Sequence, residues 1–93
     1  MGYDPALADR VRAALAGCDV TEKPMFGTLA FMVDGRLAVA AAAGGLLVKT
    51  GEPVPADPLA RPATMGARPM KGWVLVDPRA DLEAWIARVL RSS

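Results

Sequence analysis

Histidine is absent from this chain of 93 residues, and cysteine occurs once, at Cys18. The absence of histidine removes the most common zinc ligand and every acid–base mechanism that depends on an imidazole. A single cysteine cannot form an intrachain disulfide, which excludes the disulfide-rich scaffolds of small secreted domains. Because a nucleophilic thiol needs a neighbouring base or positive charge, Cys18 is interpreted as a small, partly buried structural residue.

An excess of charge of one sign is also missing, and so is any long apolar run. The formal net charge is +1, from 11 basic and 10 acidic residues, so no large field directs the chain to nucleic acid or to anionic membranes. No apolar run of about 18 residues is available to span a bilayer, and the first ten residues lack the features of a signal peptide or a myristoylation motif. We therefore expect a cytoplasmic protein with no membrane partner.

The residues that are present predict a folded protein. Hydrophobic residues make up 53% of the chain and charged residues 23%, which is typical of a globular domain rather than a disordered segment. A chain of this length forms one hydrophobic core and has no room for a second. We expect a single domain over residues 1–93.

The first periodic segment predicts a helix. Asp4 is a favourable N-cap residue, and Pro5 fits the first helical position because its missing N–H would be unpaired there in any case. From Leu7 onward, apolar residues recur at the i, i+4, i+7 and i+8 positions of one helical face. Gly17 is placed to end the helix in a left-handed conformation.

The hydrophobic period then changes to two. Three apolar segments, residues 28–33, 36–43 and 46–50, are separated by Asp34-Gly35 and Gly44-Gly45. Both pairs favour the positive φ angles of two-residue hairpin turns, so the pattern predicts a three-stranded meander.

Pairing Val33 with Arg36, and Ala43 with Leu46, makes both faces of this meander apolar. A small sheet with helices on one side does not normally leave a second apolar face in water. Either helices cover both faces or a second copy covers one, and we favour a homodimer. The predicted faces are Ala30, Met32, Leu37, Val39, Leu46 and Val48 on one side, and Leu29, Phe31, Val33, Ala38, Ala40 and Leu47, with Arg36 and Lys49, on the other.

Residues 51–69 are rich in proline and are predicted to be a loop, ordered or mobile. At most one helical turn is expected there, over residues 55–60 and capped by Asp57-Pro58. Residues 73–76 then form a strand with strong β propensity. Asp77-Pro78 repeats the Asp4-Pro5 pattern, and the apolar stripe after it predicts a second helix that runs to about residue 91.

Few residues remain as candidates for chemistry. The carboxylates lie at caps and turns, and Gly44-Gly45 lies between two strands rather than before a helix, so no catalytic residue, metal site or cofactor site is predicted. Basic residues beside aromatic ones can bind nucleic acid or an acidic protein surface. The alternative, which the residues alone favour, is that the aromatic residues belong to the core and the cations are solvated. The candidate interaction residues are Lys23, Phe26, Arg68, Lys71 and Trp73.

Four stretches together resemble the N-terminal domain of the TfoX/Sxy family: KPMFGTLAFMVDGRLAVAA, LLVKTG, ARPMKGWVLVDP and DLEAWIARVL. The similarity covers about the whole chain, and its most specific parts are Met25-Phe26-Gly27 and the segment 68–73. The resemblance implies a two-layer α/β fold similar to secretion chaperones, often dimeric, with no known catalytic chemistry. Founding members of that family are regulators of natural competence genes, acting with a cyclic-AMP receptor-type activator.

The expected fold is therefore α+β: a two-layer α/β sandwich of an antiparallel sheet with N- and C-terminal helices. The expected function is that of a non-enzymatic module for protein interaction or transcription regulation, a homodimer that also contacts a transcription activator or another protein. Two alternatives stay open. One is nucleic-acid binding through Lys23, Arg68, Lys71 and Trp73. The other is small-ligand binding in a cleft between the proline-rich segment and the sheet.

Overall fold

A computed structural model describes residues 3–25, 27–51, 54–65 and 68–91. Of Met65 it describes only the backbone. Two helices flank six strands in the order of the chain: α1 (Pro5–Ala14), β1 (Val20–Met25), β2 (Thr28–Val33), β3 (Arg36–Ala42), β4 (Gly45–Lys49), β5 (Ala60–Met65), β6 (Arg68–Val76) and α2 (Leu82–Arg91). The strands form one antiparallel sheet in the order β1-β2-β3-β4-β6-β5. The predicted fold class, an antiparallel sheet with N- and C-terminal helices in two layers, is confirmed.

Both helices pack on the same face of the sheet. Each helix contacts β3, α2 also contacts β4, and the two helices contact each other. Between the two layers lies the hydrophobic core, in which the largest fully buried side chains are apolar. They are Phe31, Leu15, Leu46, Leu82, Ile86, Val11, Val39, Val48, Val74 and Val76.

Helix α1 is built as the sequence predicts. The Asp4 carboxylate accepts a hydrogen bond from the backbone N–H of Ala6 at 2.9 Å, and Pro5 occupies the first helical position. This cap satisfies one of the N–H groups that a helix start leaves without a partner. The helix ends at Ala14, and Gly17 follows with a φ of 91°, the left-handed conformation that favours glycine after a helix.

The meander β2-β3-β4 is confirmed, and so is the pairing of Val33 with Arg36 across its first turn. Asp34 and Gly35 have φ angles of 53° and 81°, as a two-residue hairpin turn with two positive φ angles requires. The predicted arrangement of the faces is wrong in β2 and at the start of β3, however, where Leu37 pairs with Met32 and Ala38 belongs to the core. A β-bulge shifts the register between Phe31 and Met32, so that Phe31 pairs with Val39.

This bulge changes which residues share a face, because a shift of one residue moves a strand's side chains to the opposite side of the sheet. Ala30 pairs with Ala40 and therefore lies on the same face as Leu47, rather than with Val39 as predicted. The helix-covered face instead carries Leu29 and Phe31 of β2. No pattern in the sequence marks a bulge at this position.

The second turn of the meander lies one residue earlier than predicted. Ala42 pairs with Gly45 and Ala41 with Leu46, so the turn residues are Ala43 and Gly44. Gly45 belongs to the strand, with a φ of 146°, and a Cβ atom there would overlap the carbonyl oxygen of Val76. The glycine is needed for this close approach of β4 to β6, which the sequence alone does not reveal.

Two strands are not predicted from the sequence. Strand β1 is exposed at five of its six positions, so it has no alternation of apolar and polar residues. Strand β5 lies in the segment predicted as a loop, and its Pro62 is tolerated because β5 is an outer strand, paired only with β6. The helical turn predicted at Asp57-Pro58 is a β-type turn, in which the backbone N–H of Ala60 donates to the Asp57 carbonyl at 3.1 Å.

Helix α2 begins later than predicted. The carboxylate of Asp77 accepts from the backbone N–H of Arg79 at 2.8 Å, and the N–H of Ala80 donates to the Asp77 carbonyl at 2.9 Å, which makes a turn. Asp81, whose carboxylate accepts from the N–H of Ala84 at 3.2 Å, precedes the first helical residue, Leu82. A second aspartate therefore fills the capping role predicted for the first.

Two adjacent leucines of β4 test which face is covered. Leu46 is fully buried in the core, whereas Leu47 is half-buried on the other face. We expect Leu46→Ala to lower the free energy of unfolding by about 3 kcal/mol or more, because it opens a cavity in the core. We expect Leu47→Ala to lower it by about 1 kcal/mol or less.

The measurement is urea unfolding followed by tryptophan fluorescence at submicromolar protein, where weak self-association does not contribute. Equal losses for the two variants, or a larger loss for Leu47→Ala, would contradict the register of β4.

Candidate functional site

The candidate interaction residues do not form one cluster. Arg68, Lys71 and Trp73 all belong to β6, but Lys23 belongs to β1, on the far side of the sheet. Four strand spacings separate β1 from β6, which is about 19 Å at the usual distance between strands. Phe26 lies outside the described residues.

Backbone contacts explain why a glycine, Gly72, precedes Trp73. The carbonyl oxygen of Gly72 accepts from the backbone N–H groups of Thr50 and Gly51, at 2.8 and 2.9 Å. Gly72 has a φ of 79°, and a Cβ atom there would lie 3.2 Å from the Cα of Gly51. Glycine at position 72 is therefore required by the approach of two chain segments, which gives the Lys71-Gly72-Trp73 sequence a structural reason.

Trp73 itself does not belong to the core. It is half-buried, pairs with Lys49 of β4, and lies on the face opposite to Val74 and Val76. Met32, Leu47 and Leu75 are also half-buried and lie outside the core cluster and its surrounding apolar residues. Of the described helices, neither covers this face. These residues together with two alanines form a surface that we call the open-face patch: Ala30, Met32, Ala40, Leu47, Trp73 and Leu75.

The open-face patch is centred on a row of directly paired residues that crosses all six strands. Since residues directly opposite in a sheet point to the same side, the pairings define which side chains lie next to one another. The outermost members are basic and the four between them are apolar, two small and then two large. From β1 to β5 the row is Lys23, Ala30, Ala40, Leu47, Leu75 and Arg61.

The two alanines of this row are buried although they are not members of the core cluster. Ala30 is 1% exposed and Ala40 is 6% exposed, yet neither is part of the core cluster. Their larger neighbours on the same face shield them from water. The open-face patch thus has short side chains, alanines, on β2 and β3 and longer apolar side chains on β4 and β6.

The charges on this row have one sign. Lys23 and Arg61 at its ends are exposed cations, and no aspartate or glutamate occurs among its members. The well-defined ion pairs of the described residues lie elsewhere: Arg12 contacts Glu22 and Asp9 at 2.7 Å, and Arg79 contacts Asp77 at 3.0 Å.

These ion pairs account for the clearest changes in acidity. The hydrogen bonds from Arg12 lower the pKa of Glu22 below its ordinary value, and the hydrogen bonds from Arg79 lower the pKa of Asp77. The Arg12 guanidinium donates to both carboxylate oxygens of Glu22, at 2.7 and 2.8 Å. This contact ties α1 to the outer strand β1 and has a structural role.

Among the described residues, grooves open at two places on the surface. The larger has a volume of about 800 Å³ and runs between the C-terminal half of α2 and the ends of β3 and β4; it is lined in part by Cys18, Arg36 and Lys49. The smaller, of about 260 Å³, lies between the Asp57-Pro58 turn and β6 and is lined in part by Arg61, Asp77 and Arg79. Within the described ranges, no group of three or more cysteine, aspartate or glutamate residues is placed to hold a metal ion.

Cys18 is exposed, so the prediction of a partly buried thiol is wrong. It follows Gly17 in the turn after α1, where its N–H donates to the Leu15 carbonyl at 3.0 Å. In the part of the chain that the structure describes, no helix has the length and apolar character needed to cross a bilayer.

Comparisons with known proteins add nothing to this geometry: no protein-family model matches the chain, and no match was found among curated proteins or solved structures.

The contact of Arg12 with Glu22 predicts a dependence of stability on pH. Because the folded pKa of Glu22 is lowered, its contribution is present above the unfolded pKa and is lost as the pH falls through the folded value. We expect Glu22→Gln to lower the melting temperature at pH 7 by a few degrees at most, since the pair is largely solvated. The difference from the wild type should shrink towards pH 3.

Melting curves between pH 7 and pH 3 measure this effect. Glu83→Gln is the matched control, because Glu83 is an exposed glutamate in the first turn of α2. A constant difference between the wild type and Glu22→Gln at all pH values would contradict the assignment.

Proposed function

We propose that this chain is a protein-interaction module that acts through the open-face patch. The observation that carries the proposal is a sheet face covered by neither described helix, on which the half-buried Leu47, Trp73 and Leu75 lie beside the buried alanines of the row. Apolar patches on a protein surface mark sites of protein contact.

The composition of the patch supports this role. Trp73 is half-buried beside Leu75 on β6, and tryptophan is one of the residues that contribute most to binding at protein interfaces. The patch is apolar at its centre and has cations at two edges, as interfaces with an apolar core and a polar rim do.

Nucleic-acid binding has less support from the placement of the cations. A nucleic acid is held by several basic groups along one continuous surface. Lys23 is about four strand spacings, or roughly 19 Å, from β6, which carries Arg68 and Lys71. The apolar row lies between them.

The proposal includes a place in the cell and a regulatory use. A lone, exposed cysteine is typical of a reducing compartment, so we place the protein in the cytoplasm. The resemblance to the TfoX/Sxy family favours a role in transcription regulation through contact with another protein.

Site-specific crosslinking in the cell tests this function. A photoreactive phenylalanine analogue in place of Leu47 should give covalent adducts, because Leu47 lies at the centre of the open-face patch. The same analogue in place of Ala13, an exposed residue of α1, is the matched control on the helical layer.

We expect adducts at position 47 in at least severalfold excess over position 13, detected by mass. Adducts with nucleic acid, equal yields at both positions, or none at position 47 would each contradict the proposal.

A further inference from the structure

We propose that a second copy of this chain covers the open-face patch, with the two sheets packed face to face about a two-fold axis roughly parallel to the strands. This inference rests on the proposed function, and it names the partner and the arrangement.

Both edges of the sheet carry residues that hinder pairing with a further strand. The outer strands β1 and β5 each carry a proline and a cation, Pro24 with Lys23 and Pro62 with Arg61. Proline and exposed cations on outer strands are the features by which natural sheets prevent pairing with another chain. Association through the edges is therefore disfavoured, and the face remains as the surface for contact.

The open face has the area that a dimer needs. Six strands at the usual spacing, with paired segments of about five residues, give a face of about 29 by 17 Å, or roughly 500 Å² for each copy. Two such faces reach the roughly 1,000 Å² that a specific interface needs.

Small and large residues follow one another in a definite order along the row. The four apolar residues are Ala30, Ala40, Leu47 and Leu75, two small followed by two large. A two-fold axis along the strands reverses the row in the second copy, so that each leucine faces an alanine. Facing positions that alternate in size allow two layers to interdigitate at the usual distance of about 10 Å between sheets. An axis along the row would place leucine on leucine and alanine on alanine.

The same axis determines which charges meet. It places Lys23 of one copy opposite Arg61 of the second copy at both ends of the row. These facing cations repel each other, so the dimer should be weak at low salt and should become tighter as salt screens the repulsion. A complex with an acidic protein would show the opposite salt dependence.

Sedimentation equilibrium of the full chain, at protein concentrations from about 1 to 500 μM and at several salt concentrations, tests the arrangement. We expect a dimer whose Kd falls as salt rises. Lys23→Glu should tighten it about three- to tenfold at low salt and reverse the salt dependence, because the introduced carboxylate faces Arg61 of the second copy. The double variant Lys23→Glu, Arg61→Glu should lose this gain, since acids then face acids.

Arg91→Glu, in the last turn of α2, is the control for the change in charge and should leave the Kd within about twofold. Leu47→Lys should weaken the dimer at least tenfold, and Ala13→Lys, on the exposed side of α1, should not. The melting temperature of each variant verifies that it is folded. If Leu47→Lys does not fold, Lys23→Glu still tests the arrangement, because Lys23 is exposed.

A wild-type monomer at 500 μM, or a dimer indifferent to both Leu47→Lys and Lys23→Glu, would overturn the inference. A monomer that still gives adducts with another protein from position 47 would overturn the dimer and leave the proposed function standing.

Discussion

The β-bulge between β2 and β3 decides which side chains of the sheet face the helices. Past this bulge, Phe31 lies beside Val39, and the same row continues through Val48 and Val74, which are all fully buried. Without it, Phe31 would lie opposite Ala38, and β2 would turn Ala30 and Met32 towards the helices in place of Leu29 and Phe31. The two helices can cover one face only, so the bulge also decides that Ala30 belongs to the face left open.

The open face differs from the core in composition as a result. The core rows carry phenylalanine, valine and leucine, which fill the space under α1 and α2. The row on the open face has alanine in β2 and β3, where the neighbouring core row has Phe31 and Val39, and it ends on cations at both outer strands. Small residues let another surface approach closely, and the cations keep an apolar face soluble. The bulge between β2 and β3 therefore decides which residues of β2 are covered by the helices.

Signals from neighbouring residues in the sequence were sufficient to predict some elements of the fold but not others. The Asp4-Pro5 cap, the Asp34-Gly35 turn and the apolar stripe of α2 are interactions between neighbours in the chain, and they could be predicted. Strand β5 could not, because Pro62 is acceptable only on an outer strand, and the position of a strand in the sheet depends on distant pairings. The candidate site had the same limit. Trp73 and Lys23 could be singled out by type, but the row that links Lys23 to Arg61 exists only through pairings across all six strands.

The cations at the ends of the row act both at the edges of the sheet and in the proposed dimer. Lys23 and Arg61 protect the outer strands from pairing with other chains, which an apolar or neutral edge would not do. In the proposed dimer the same two residues face each other and limit its affinity. A surface that must be open to another protein at one time and covered at another needs an association that can be reversed, and a tightly packed neutral face would not separate readily. The same charges that prevent aggregation would thus keep the open-face patch available for exchange between partners.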